Sequence, residues 1–118
     1  MASKKIIQER SFRFALEVIA LHRKLTDQRE YVISRQLLRS GTSIGANVAE
    51  AEAAHSRRDF TAKMIIASKE ARETKYWLRL LKYSEAWNVE VDQFLSDIDE
   101  MIRILTSIIK TMQETDSQ

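Results

Sequence analysis

Proline occurs at none of the 118 positions of this chain, and glycine at only two, Gly41 and Gly45. These two residues supply most of the punctuation of all-β and α/β folds, so a chain nearly free of them is left with long helices joined by short turns. A chain of this length removes roughly two-thirds of its unfolded surface from water on folding, which is enough for one domain spanning residues 1–118. Cysteine is also absent. That excludes a disulfide framework, a thiolate zinc site and a cysteine nucleophile together.

Hydrophobic periodicity resolves four segments. In the last, Val91, Phe94, Ile98, Met101, Leu105, Ile108 and Met112 alternate spacings of three and four, an apolar seam that must bury itself against other helices. Asn88 is read as its N-cap, with Glu90 and Asp92 in the dipole-favoured first turn, giving a helix over about 89–112. In the third, Phe60, Met64, Ala67, Ala71, Thr74, Leu78 and Leu81 share a face, and Ser56 with Asp59 resembles a capping box, with Asp in place of the usual Glu, that opens a helix over 57–83. The second, 31–55, aligns Ile33, Leu37, Ser40, Ile44, Val48 and Ala51, with Gly41, Gly45 and Ala49 along its flank. A mid-helix glycine costs about 1 kcal/mol against alanine, so close packing of another helix explains the glycines better than a turn at Ser40–Ser43. The first, 9–25, carries Phe14, Val18, Leu21 and Leu25 inward. The connections are short, so successive helices are antiparallel neighbours and the fold is an all-α, up-down-up-down four-helix bundle. Residues 1–8 and 113–118 are expected to be flexible ends.

Little in the chain supports catalysis. His22 and His55 are the only histidines and lie in no His-x-x-x-His or Glu-x-x-His pattern, so no metal or other cofactor is expected. Glu50, Glu52, Glu70 and Glu73 lack the histidine partners of a di-metal bundle. Ser40, Thr42 and Ser43 have no base to activate them. Gln36, Ser40, Ser43, Asn47 and Glu50 share one side of the second helix and read as a hydrogen-bonded polar seam between helices or subunits. The expectation is a protein that is not an enzyme. Lys4 and Lys5 are followed by Glu9, Arg10 and Arg13 rather than by a signal-peptide apolar run, and no apolar run spans a bilayer. A cytoplasmic location follows as an expectation.

Charge is uneven although the net value is only +2. Residues 56–83 hold eight basic groups against three acidic, and residues 84–118 hold two against eight. Arg72, Lys75, Arg79 and Lys82 line one side of the third helix, with Arg58 and Lys69 on its margin. Such a row could track a phosphate backbone. The plainer alternative is a solvated face balanced by Asp92, Asp99 or Glu100, in pairs worth little.

Two helices carry more apolar surface than one core face needs. Phe12, Leu16 and Ile19 on the first helix, and Ile65, Ile66, Tyr76, Trp77 and Leu80 on the third, are candidates for a self-association interface, because contiguous exposed apolar side chains mark contact surfaces.

The stretch QLLRSGTSIGANVAEA (Gln36 to Ala51), followed by RRDFTAKMIIASKEARETKYWLRLL (Arg57 to Leu81), resembles the four-helix-bundle family of the intervening-sequence proteins of 23S ribosomal RNA genes. The matching elements are Gln36-Leu37, Arg39-Ser40, Ser43-Ile44, Asn47, Ala49-Glu50, Asp59-Phe60, Ala67-Ser68 and Glu73. The chain departs from the family where proline is usual at its Gly45 and glycine at its Ala51, which implies a straighter second helix that ends later. That family is similar to the accessory variability proteins of diversity-generating retroelements, which form five-fold barrels and associate with nucleic acid. The resemblance therefore implies a homo-oligomer, a pentamer by that likeness, with RNA, DNA or a nucleic-acid-handling protein as partner. A non-enzymatic scaffold binding nucleic acid through the third helix is the leading expectation. A protein-interaction module without nucleic-acid binding is its alternative.

Overall fold

The computed structural model describes residues 2–116, and these form four helices: α1 (Ala2–Asp27), α2 (Val32–Glu52), α3 (Arg57–Ser84) and α4 (Asp92–Asp116). Side-chain contacts set their directions. Gly41 lies against Val18 and Gly45 against Ser11; Glu50 pairs with Lys63, and Arg39 with Glu70; Lys75 meets Asp99 and Lys82 meets Asp92. In each pair one helix advances as the other retreats, and Arg10 with Glu100 and Phe14 with Phe94 repeat this across α1 and α4. The bundle is therefore up-down-up-down, with every helix backbone packed against its two neighbours and, among the described residues, none against its diagonal partner. It measures 51 Å by 22 by 21 Å, a near-square cross-section with one helix at each corner.

The core is one continuous column that includes Phe14, Val18, Leu37, Ile44, Met64, Leu78, Ile98 and Leu105. Helix α1 starts well before residue 9. Ile7 is fully buried and extends the inward line as Ile7, Ser11, Phe14, Val18, Leu21, Leu25, while the Lys4 ammonium sits 4.4 Å over the Phe60 ring. Packing at both positions makes residues 2–8 helical rather than a flexible end. At the other end α4 continues through 113–116; Met1, Ser117 and Gln118 lie outside the described residues.

Helix α2 runs unbroken through both glycines, neither of which has positive φ. A Cβ at Gly41 would come within 2.9 Å of Val18, and one at Gly45 within 3.2 Å of the Ser11 carbonyl. The glycines thus let α1 approach α2 more closely than alanine would, the packing benefit that offsets their helix-propensity cost. The helix stops at Glu52 rather than near 55, because the Ala53 and Ala54 amides turn back to the Glu50 and Ala51 carbonyls in a tightened last turn.

Helix α3 opens as expected, with Ser56 Oγ accepting the Asp59 N–H at 3.0 Å. Helix α4 does not start at Val89. Asn88 is clasped instead by Gln28, whose amide accepts the Asn88 N–H at 2.8 Å and donates to its carbonyl at 2.9 Å. That clasp holds the α3–α4 connection off helical geometry until Asp92, with Val91 buried beneath it.

Candidate nucleic-acid interface and self-association surface

The polar seam lies between α2 and α3. Ser40 and Thr74 are both buried, with their hydroxyls 2.8 Å apart, and Thr74 also lies 2.7 Å from the Glu70 carbonyl. One hydroxyl carries one proton, so both contacts are satisfied when Thr74 donates to the carbonyl and accepts from Ser40. Gln36 accepts from the Arg39 guanidinium at 3.3 Å, and Arg39 in turn pairs with Glu70 and Glu73. Glu73 also accepts the Trp77 indole N–H at 3.0 Å. Ser43 and Asn47 bond carbonyls of their own helix, and Glu50 reaches Lys63. Catalytic groups do not converge on this seam: His22 is on α1, His55 is exposed in the α2–α3 connection, and among the described residues no cluster of His, Asp and Glu could hold a metal ion. A cleft beside the α3–α4 connection contains Glu17, Lys24 and Glu90 but neither histidine.

Pairing divides the basic row of α3. Lys75 bonds Asp99 at 2.7 Å and Lys82 bonds Asp92 at 2.8 Å, so half the expected row is neutralised by α4. The hydrogen bond and charge of Asp92 hold the Lys82 ammonium above the ordinary lysine pKa. Arg58, Lys69, Arg72 and Arg79 are exposed, with no carboxylate of the described residues paired to them. Tyr83, which charge counting overlooks, belongs with them: Arg72, Tyr76, Arg79 and Tyr83 follow one another at four, three and four residues, a single line on the outside of α3. Arg79 and Lys82 approach the Tyr83 ring at 6.0 and 5.5 Å from its centroid.

The apolar candidates divide as well. On α1, Phe12, Leu16 and Ile19 are 68, 54 and 48% exposed, and Phe12 edges a groove whose other wall is Gly45, Val48 and Ala49. On α3, Ile65 and Trp77 are half-buried, Trp77 packing on the core of its own chain and edge-on against Tyr76, whereas Ile66, Tyr76 and Leu80 stay exposed. Tyr31 and Val32, at the start of α2, are exposed too; they fall outside any helical stripe and so gave no periodic signal.

The family model described as the 23S rRNA-intervening sequence protein matches residues 3–107, nearly the whole bundle. This chain belongs to that family. No curated protein matches this chain. A solved structure that is similar to it is a protein of unknown function from the S23 ribosomal protein family of Bacteroides thetaiotaomicron, 45% identical, covering 92% of this chain and 98% of that chain with a TM-score of 0.85. Within the family motif, Arg39, Ser40, Glu50 and Glu73 reach across from one of α2 and α3 to the other, whereas Ser43 and Asn47 bond their own helix. Among the described residues no helix is long and apolar enough to cross a membrane.

Proposed function

We propose that this protein is a non-enzymatic scaffold that self-associates through the outer side of α1 and binds RNA or DNA through the outer face of α3. The observation that carries the reading is the separation of two exposed surfaces on one rigid bundle. Phe12, Leu16 and Ile19 stand in line on α1 without cover, and large apolar side chains left so exposed mark a contact surface. On α3, Arg72 and Arg79 are exposed, with no carboxylate partner among the described residues, so they remain able to displace counterions from phosphates. A five-fold ring of copies and a cytoplasmic location are part of the same reading.

The ion pairs of Lys75 and Lys82 support a second reading, in which the cations of α3 only balance the acidic α4 and the chain is a protein-interaction module. Binding of labelled RNA and DNA, followed by anisotropy across a salt series, separates the two. Under the first reading affinity falls steeply with salt, and Arg72→Glu/Arg79→Glu removes binding while Lys75→Glu/Lys82→Glu weakens it less. Absence of binding by the wild-type protein at low salt would leave the interaction module standing.

A further inference from the structure

We infer that the ligand of α3 is single-stranded nucleic acid, held by stacking of bases on Tyr76 and Tyr83 between the phosphate contacts of Arg72 and Arg79. This inference rests on the nucleic-acid reading above and names its ligand. Tyr76 is 54% exposed and Tyr83 68% exposed, although buried positions are available to aromatic side chains in this bundle, as Phe14 shows. Both tyrosines lie in line with cations rather than in the apolar stripe of α1. Arginine, tyrosine, arginine, tyrosine along one helix is the combination that single-strand binders use: cations that follow the backbone, and ring faces on which unpaired bases stack whatever their sequence. A duplex offers its phosphates but keeps its base faces closed, so the tyrosines would add nothing to duplex binding.

The spacing fits a short strand. Tyr76 and Tyr83 are seven residues apart, about 10.5 Å along the helix at about 1.5 Å per residue, which is the length of about three steps of a stacked strand at about 3.4 Å each. Arg79, 6.0 Å from the Tyr83 ring centroid, keeps positive charge beside the ring where the adjoining phosphate would lie. Charge complementarity favours this occupant, because a polyanion meets Arg72 and Arg79, to which no carboxylate of the described residues is paired.

The experiment compares a labelled twelve-nucleotide oligouridine with a twelve-base-pair RNA duplex on the full chain at low salt. The wild-type protein should bind the single strand more tightly than the duplex. Tyr76→Ala/Tyr83→Ala should lose at least about ten-fold in single-strand affinity with duplex affinity unchanged, and Tyr76→Phe/Tyr83→Phe should keep most of it, because the ring face and not the hydroxyl is used. Circular dichroism melting of each variant checks the fold. Single-strand affinity unchanged in the alanine variant, equal or tighter duplex binding by the wild type, or a drop in molar mass of the alanine variant would each overturn the inference and leave the nucleic-acid reading intact. Binding of neither ligand would remove both.

Discussion

At the scale of single residues, the buried pair of Ser40 and Thr74 carries a sharp expectation. Thr74→Val leaves the Ser40 hydroxyl buried without its partner and should cost about 1–2 kcal/mol. Ser40→Ala/Thr74→Val should cost clearly less than the sum of the single changes, since the polar atoms leave together. Denaturant melts of the four proteins measure this, and additivity within about 0.3 kcal/mol would show the two hydroxyls to be uncoupled. Arg29 offers the opposite sign. With φ at 64°, it closes α1 by a double hydrogen bond, Arg29 N–H to the Thr26 carbonyl and Glu30 N–H to the Leu25 carbonyl. Glycine adopts this conformation without a Cβ clash, so Arg29→Gly should raise stability by about 0.5–1 kcal/mol, visible as a higher melting temperature. Neither feature is legible from spacing alone. Ser40 was readable as a seam residue, but its partner thirty-four positions away was not, and Arg29 lacks the glycine that normally flags such a cap.

At the scale of elements, the stripes were legible wherever apolar residues kept step: Leu37, Ile44 and Val48 on α2, and Ile98 through Met112 on α4, are buried as their spacing requires. Boundaries were legible only where a local cap sets them, as Ser56 does for α3. Ser11 sits in the core line of α1, and as a polar residue it breaks the apolar pattern that would have tied Ile7 to Phe14. Asn88 resembles an N-cap locally, and only the distant Gln28 diverts it. The start of α2 is another case in which a side chain outside the helix decides. Glu30, only 5% exposed, accepts the N–H groups of Val32, Ile33 and Ser34 at 3.1, 2.9 and 2.6 Å, satisfying three otherwise free donors with a negative charge at the positive end of the helix dipole. Glu30→Ala should lower stability by about 2–3 kcal/mol. Glu30→Gln, which keeps an acceptor without the charge, should recover part of that loss in the same thermal melts. An alanine variant as stable as the wild type would show that water replaces the carboxylate.

For the whole molecule, the fold was readable because four amphipathic stripes with short connections allow few other arrangements. The use of its outer surfaces was not, because exposure and ion pairing depend on which helix lies alongside: α4 neutralises Lys75 and Lys82, whereas Arg72 and Arg79 have no carboxylate partner among the described residues. The account turns on α1, where Phe12, Leu16 and Ile19 remain in contact with water unless another copy covers them. Molar mass in solution by light scattering tests this most directly. The account predicts a multiple of the 13.7 kDa chain mass, five-fold if the ring reading holds, that falls to the monomer value in Phe12→Asp/Leu16→Asp without loss of helix. A wild-type protein that stays at 13.7 kDa at high concentration would contradict it.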